Sequence, residues 1–313
     1  MAKSIFEAPQ FKTEEGAFAY VEAHLWPTGP VCPHCGNCDE ARIRKMLGKT
    51  TRMGLYKCNE CRKPFTVRMG TIFESSHLAL HLWLQVIHLM CASKKGISTR
   101  QIQRMLQCSM KTAWFLTHRI REAMRSGDLD VPFGTGGTPV EVDETYIGRK
   151  KGMPKKAGYQ HKLGVLALVD RESGTMRSFT FDRYSAAEIH PIVRANVARE
   201  ARLLTDEARV YTVLGREFAE HRTTSHAAGE YVNLADRTIH TNTVEGAFSI
   251  FKRGMKGIYQ HCAEKHLHRY LAEFEFRYNN REKLEISDTI RAENALRGVV
   301  GKRLTYETAS CPS

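Results

Sequence analysis

The sequence predicts a multidomain α+β chain: an N-terminal zinc ribbon, a helical block containing a helix-turn-helix, and a mixed strand–helix domain. Three observations predict it. Two C-x-x-C pairs, Cys32/Cys35 and Cys58/Cys61, stand with 22 residues between them. Residues 78–126 then read as helical throughout. Beyond a Gly/Pro-rich linker at 131–139, the pattern changes to strands and then to helices.

At 313 residues the chain has room for two or three domains. Lys+Arg exceed Asp+Glu by 47 − 34 = 13. That excess favours a polyanionic partner, although a merely soluble basic protein would carry it too. Nine cysteines, an odd number, with four of them in two close pairs, argue for a reducing compartment and a metal site rather than disulfides. No N-terminal segment resembles a signal peptide. The most apolar stretch, 78–92, is too short to span a bilayer and contains His81, Gln85 and His88. The expectation is a cytoplasmic chain with no membrane partner.

Residues 1–74 form the first predicted unit, with a short amphipathic stretch at Glu14–Leu25 ahead of the cysteines. Each C-x-x-C can form a knuckle whose backbone N–H groups point at thiolate sulfur. Two knuckles make the tetrahedral S₄ site that Zn²⁺ prefers, against the alternative of coincidental buried cysteines. Cys38 and His34 fit that geometry less well. Lys57, Arg62, Lys63 and Arg68 surround the second knuckle and suit docking to DNA or protein, unless the ribbon only folds and shields.

The second predicted unit, 75–130, carries two helices. Ser98 with Gln101 matches a capping box for Thr99–Leu106. A turn at 107–109 leads to Met110–Met124, capped by Ser109. This reads either as a helix-turn-helix or as an ordinary hairpin with a basic face, and the ribbon beside it favours DNA binding. Lys111, Thr112, Arg119, Arg121 and Arg125 are the expected phosphate and base contacts.

The third predicted unit, 138–290, opens with strands at 140–147, 163–169 and 176–181, the last two joined as a hairpin. Ser185 and Glu188 match a capping box for a following helix, and a short strand then ends at Asp206. Strand, strand, strand, helix, strand, helix is the start of a ribonuclease-H-like sheet. A last helix is expected at 264–281. From Arg291 to the end, the tail at 291–313 carries no clear signal.

Three carboxylates organise this third unit. Asp143 lies in an apolar strand, where a buried carboxylate is costly without a partner and a divalent cation removes the cost. Asp206 sits at a second strand end. Glu144 and Glu207 are their immediate neighbours. Alternation sends neighbours to opposite faces, so only one of each pair can point inward. Glu245 opens a helical stretch in which Glu245, Ser249 and Lys252 share one face and Val244, Phe248 and Phe251 another. Two strand-end carboxylates and a helix carboxylate can hold two Mg²⁺, or Mn²⁺, for phosphodiester chemistry. Lys252 reads as a cation for a DNA phosphate or as a solvated surface lysine. Asn242 is a second candidate ligand through its amide oxygen. His240 reads as a satisfied structural histidine. The basic loop at 149–156 would grip DNA backbone if placed beside the metals.

Taken together, these residues resemble a known family. The carrying motifs are Cys32-Pro-His-Cys-Gly36, Cys58-x-x-Cys61 running into Gly70-Thr-Ile-Phe-Glu74, and Val142-Asp-Glu-Thr-Tyr-Ile-Gly148. Further on come Thr205-Asp206, His240-Thr-Asn-Thr-Val-Glu-Gly246 with Lys252-Arg253, and Phe276-Arg-Tyr-Asn-Asn-Arg281. The chain is similar to bacterial insertion-sequence DDE transposases with an N-terminal zinc ribbon, the insertion-sequence fifteen-ninety-five superfamily. The resemblance implies cleavage at element ends and transfer of 3′-OH ends to target DNA. It maps catalysis onto Asp143, Asp206 and Glu245, with Lys252 as the basic residue seven positions on, and Asn242 as the alternative third residue. It also implies one structural Zn²⁺, a nucleoid-associated location, and a homodimer or higher oligomer on DNA. Two other readings stay open: a domesticated DNA-binding regulator without catalysis, and a ribonuclease-H-like nuclease without strand transfer.

Overall fold

The computed structural model describes residues 4–125, 131–155, 158–224, 232–233, 236–302 and 304. The chain divides into two compact units, one of residues 1–93, 97–125 and 287–313, the other of 94–96 and 126–286.

The first unit opens with α1 (Pro9–Lys12) and α2 (Glu14–Leu25). Thr13 caps α2 by accepting from the Gly16 N–H. Strands β1 (Ile43–Lys45), β2 (Tyr56–Cys58) and β3 (Pro64–Phe65) follow and pair antiparallel in that order. Their core is small: Cys32, Ile43, Tyr56, Cys58 and Phe65 are buried, with the Trp26 ring edge-on to Tyr56 and Phe65. A core of that size cannot offset the chain entropy of the ribbon, so a cross-link through the cysteines has to supply the difference.

Helices α3 (Leu80–Ala92), α4 (Thr99–Leu106) and α5 (Met110–Met124) complete the block. Ser98 accepts from the Gln101 N–H and Ser109 from the Thr112 N–H, as their spacing predicts. Gln107 turns the chain between α4 and α5 in the left-handed region, at φ 49°. The expected polar face of α5 needs correction. Lys111, Thr112 and Arg125 are exposed. Arg119 and Arg121 are buried, and Arg119 donates to the Ile72 and Glu74 carbonyls at 2.8 and 2.7 Å. Arg68 is likewise committed to the fold, donating to the Leu78 carbonyl and lying 3.9 Å from Glu14. For Arg68 and Arg119, a long guanidinium satisfies carbonyls of the irregular segment between β3 and α3.

The second unit is built on one sheet. Its elements are β4 (Pro139–Ile147), β5 (Leu163–Asp170), β6 (Thr175–Phe181), α6 (Ala186–Asn196), β7 (Arg202–Asp206), α7 (Arg209–Leu214), β8 (Glu220–Thr224), α8 (Asn242–Gly254) and α9 (Leu267–Asn279). The strand order is β6-β5-β4-β7-β8. The β4–β5 and β5–β6 pairs are antiparallel, whereas β4–β7 and β7–β8 are parallel. That order and sense define a ribonuclease-H-like sheet. Helices α6 and α7 cover one face and α8 and α9 the other. With both faces covered, β5 is buried at every position.

Two local expectations change here. Ser185 makes no side-chain cap to α6; Glu188 instead accepts from the Asp182 and Arg183 N–H groups at 2.7 and 3.1 Å. The helix expected at 264–281 is a 3₁₀ turn, Glu264–His266, followed by α9. Side chains of α9 also pair the free edge of β6. Glu275 accepts from the Ser178 N–H and hydroxyl, and Asn279 bonds both the N–H and the carbonyl of Met176. An edge covered in this way offers less backbone to a stray strand.

The chain then returns to the first unit as α10 (Asp288–Arg297), capped by Ser287 and packed on α3. Arg291 opens no featureless tail; it is a residue of this helix and donates to the Cys91 carbonyl at 2.9 Å. Among the described residues, no helix is long and apolar enough to cross a membrane.

Candidate active site and metal centre

The knuckles bring Cys32, Cys35, Cys58 and Cys61 together, with all four sulfurs within 4.8 Å of one another. Cys32 and Cys61 approach to 3.7 Å and Cys35 and Cys58 to 3.8 Å. The Cys61 N–H, the Asn37 amide and the Glu60 N–H point at the Cys58 sulfur and hold its thiol down to about 6, while burial and the neighbouring thiols push Cys35 up to about 12. Cys38 is exposed, and the His34 ring instead meets the Pro64 carbonyl at 3.3 Å. Four thiols at this spacing, one of them already biased toward thiolate, are the donor set of a structural zinc site.

The carboxylates converge in the second unit. The β4 residue Asp143 pairs with Ala167 of β5, which packs toward α8 and α9. Parallel pairing matches Glu141 to Leu204, and two steps further the same register carries Asp143 toward Asp206 at the end of β7. Glu245 lies in the first turn of α8, on the covering helix. The Thr241 hydroxyl donates to Glu245 Oε1 at 2.9 Å and orients it.

Burial pushes the Asp143 carboxyl up to about 7, and the charges of Glu144, Asp206 and Glu245 add to that shift. The Glu144 N–H, 2.8 Å from Asp143 Oδ1, opposes it only in part. A half-buried carboxylate whose ionisation is opposed by burial, with further carboxylate charges near it, is suited to a divalent cation that would offset that cost. A stability consequence follows. The folded-state pKa lies above the unfolded value of 3.8, so stability from Asp143 is present below pH 4 and lost as pH rises through about 7. Without divalent cations, Asp143→Asn should melt several degrees above wild type at pH 8, with a smaller gap at pH 5. Glu275, raised to about 7 by burial, adds a slope of the same sign that Asp143→Asn leaves in place. Equal melting shifts at the two pH values would contradict this account.

Glu144 points to the opposite face, where it accepts from the Tyr211 hydroxyl at 2.7 Å and from Tyr184. Glu207 is exposed. Asn242 is exposed at the start of α8, its N–H 3.3 Å from His240 Nδ1. Lys252 is partly exposed, about 10 Å along the helix axis from Glu245. In the basic loop, Lys150 pairs with Asp182 and Arg149 donates to the Met153 carbonyl at 2.8 Å, while Lys156 lies outside the described residues.

Sequence reasoning misses Glu141. This residue is fully buried on the same face as Asp143 and accepts from the Thr243 and Val244 N–H groups, both at 2.9 Å. Arg171 Nε donates to its other oxygen at 2.5 Å, and that guanidinium also reaches His240. The period of two along β4 is the available signal, since it places Glu141 and Asp143 on one face.

Comparisons with known proteins show the family. Residues 135–279 match the model of the ISXO2-like transposase domain, and residues 12–64 match the transposase zinc-ribbon domain. Together the two matches cover more than half of the chain. The chain belongs to this insertion-sequence transposase family. A relative in Halobacterium salinarum, an uncharacterized protein in transposable element ISH50, is 27% identical over 283 residues, covering 85% of this chain and 91% of that protein. Among solved structures, a pre-cleavage Mos1 transpososome matches at 12% identity over 64% of this chain and 74% of that one, with a TM-score of 0.27. A superposition that loose carries no argument. The transposase is therefore placed by its family, its sheet and its cysteines.

Proposed function

We propose that this transposase cleaves phosphodiesters at the ends of its element and transfers the freed 3′-OH ends to target DNA. The observation that carries the proposal is the placement of Asp143 and Asp206 on adjacent parallel strands, with Glu245 in the first turn of the helix that covers that face. Asp143, Asp206 and Glu245 would together hold two Mg²⁺ or Mn²⁺ ions. Bound there, such ions activate the attacking oxygen and stabilise charge on the leaving 3′ oxygen. Thr241 orients Glu245, and the paired strands hold Asp143 and Asp206 in register. Lys252 would hold a DNA phosphate beside them. In the first unit, Lys111 and Thr112 on the exposed first turn of α5 would face DNA in a helix-turn-helix mode, with the ribbon as a further contact.

The test is cleavage and joining of linear DNA bearing the element's ends, with and without Mg²⁺. Joined product that requires Mg²⁺ supports the proposal; cleavage without joining would reduce the protein to a nuclease, and cleavage without any divalent ion would remove the basis of the site. The choice of third ligand has its own test. Glu245→Ala should lose activity by about 100-fold or more, whereas Asn242→Ala should stay within about tenfold of wild type. The reverse order would transfer the role to Asn242.

A further inference from the structure

Thr241, the residue before helix α8, does not cap it: its hydroxyl turns to Glu245, and the Asn242 N–H meets the His240 ring at 3.3 Å. The first-turn N–H groups of Thr243 and Val244 are satisfied instead by Glu141, about a hundred residues away on β4. A local cap fixes a helix end and leaves its position free. A cap supplied by the sheet also fixes where the helix stands. This cap stands beside two of the candidate ligands. Asp143 lies two positions along the strand on the same face, roughly 7 Å away. Glu245 directly follows Val244, whose N–H is held. The capping carboxylate is itself held: its other oxygen accepts from Arg171, which also donates to the carbonyls of Thr238 and His240 and so anchors the segment entering α8. The His240 ring stands 3.4 Å from that same oxygen.

We infer that Glu141 is a positioning residue that sets the separation of Asp143 and Glu245, and with it the affinity of the carboxylate site for divalent cations. The inference rests on the function proposed above. A buried glutamate that merely stabilised the fold would leave metal affinity unchanged in any folded variant; a positioning residue would not.

The test uses the full chain and Mn²⁺ as the probe. Glu141→Gln keeps the shape but presents an N–H₂ group to either Arg171 or the α8 N–H groups, donor against donor. It should bind Mn²⁺ at least tenfold more weakly than wild type, by calorimetry or by the loss of the free-ion electron paramagnetic resonance signal, while retaining a cooperative melt. The Thr243 and Val244 amides should exchange with solvent faster. DNA cleavage should be partly recovered at high Mn²⁺. Should Glu141→Gln fail to fold, Glu141→Asp decides, because it keeps the charge for Arg171 but falls short of α8 by one methylene. Folded Glu141→Asp with a several-fold loss of Mn²⁺ affinity supports the inference. A folded variant of either kind with wild-type Mn²⁺ affinity would overturn it. Asp143→Ala is the control: if wild type binds no Mn²⁺ through Asp143, the proposed function fails, and unchanged exchange at Thr243 and Val244 in Glu141→Gln would separately overturn the positioning role.

Discussion

Asp143→Ala should reduce both cleavage and joining by about 10³-fold or more while DNA affinity stays within a few-fold of wild type. The expectation follows from position. Asp143 lies on the face of β4 that α8 covers, in the register that leads to Asp206 on the neighbouring strand. Removing it takes a carboxylate from the set that would hold the proposed cations. Three decades in rate correspond to about 4 kcal/mol of lost transition-state stabilisation, within the range expected when charge stabilisation fails in a water-poor site. In the proposed site the three carboxylates act as one unit, so Asp143→Ala combined with Glu245→Ala should be little worse than Asp143→Ala alone. End-cleavage rates and band-shift affinities measured on the same DNA check both statements. Activity within tenfold of wild type in Asp143→Ala would sink the site, and additive losses in the double variant would show that the residues act separately.

The second large effect concerns the ribbon. Purified protein should contain one zinc per chain, and Cys58→Ser or strong chelation should unfold the ribbon. The reasoning is a comparison of sizes. Five buried residues and the edge-on Trp26 make a very small core, whereas a four-thiolate zinc site contributes on the order of 10–16 kcal/mol at neutral pH. Near-ultraviolet circular dichroism from Trp26, Tyr56 and Phe65 should collapse, and protease cleavage should appear within residues 43–64. Most helical signal should persist, because α3, α4 and α5 bury their own core residues. Zinc-free wild-type protein with an intact aromatic signal would refute the structural role.

Much of this is legible in the chain itself. The cysteine spacing is local: a C-x-x-C run forms its knuckle wherever the chain takes it, so two such runs already name the four residues that meet. Strand periodicity does the same for the sheet. Val140, Val142 and Ile147 mark a covered strand, and the unbroken apolar run of β5 marks one covered on both faces. Helix caps at Ser98 and Ser109 are readable because a cap is a contact across three residues.

Where sequence and structure part, they do so for one physical reason. Arg68, Arg119 and Arg121 read as surface charge because an arginine is usually solvated, and nothing nearby in sequence announces the groups that bury it. Arg119 meets acceptors more than forty residues away. The segment from Arg291 looks featureless because α10 draws its stability from packing on α3 and its Ser287 cap, not from a strong pattern of its own.

By itself, then, the sequence determined what short-range chemistry can determine: the four cysteines that meet, strands β4 to β7, the helices capped by Ser98 and Ser109, and carboxylates in a setting that makes them costly. Only the tertiary structure decided which charges are neutralised by the fold and which remain for function. Glu141 and Asp143 are two residues apart on one strand face, yet one carboxylate is satisfied by a helix end and an arginine, while the other is held from ionising by burial and by nearby carboxylate charges. That difference comes from where α8 sits on the sheet, and a contact across about a hundred residues leaves no mark in local sequence.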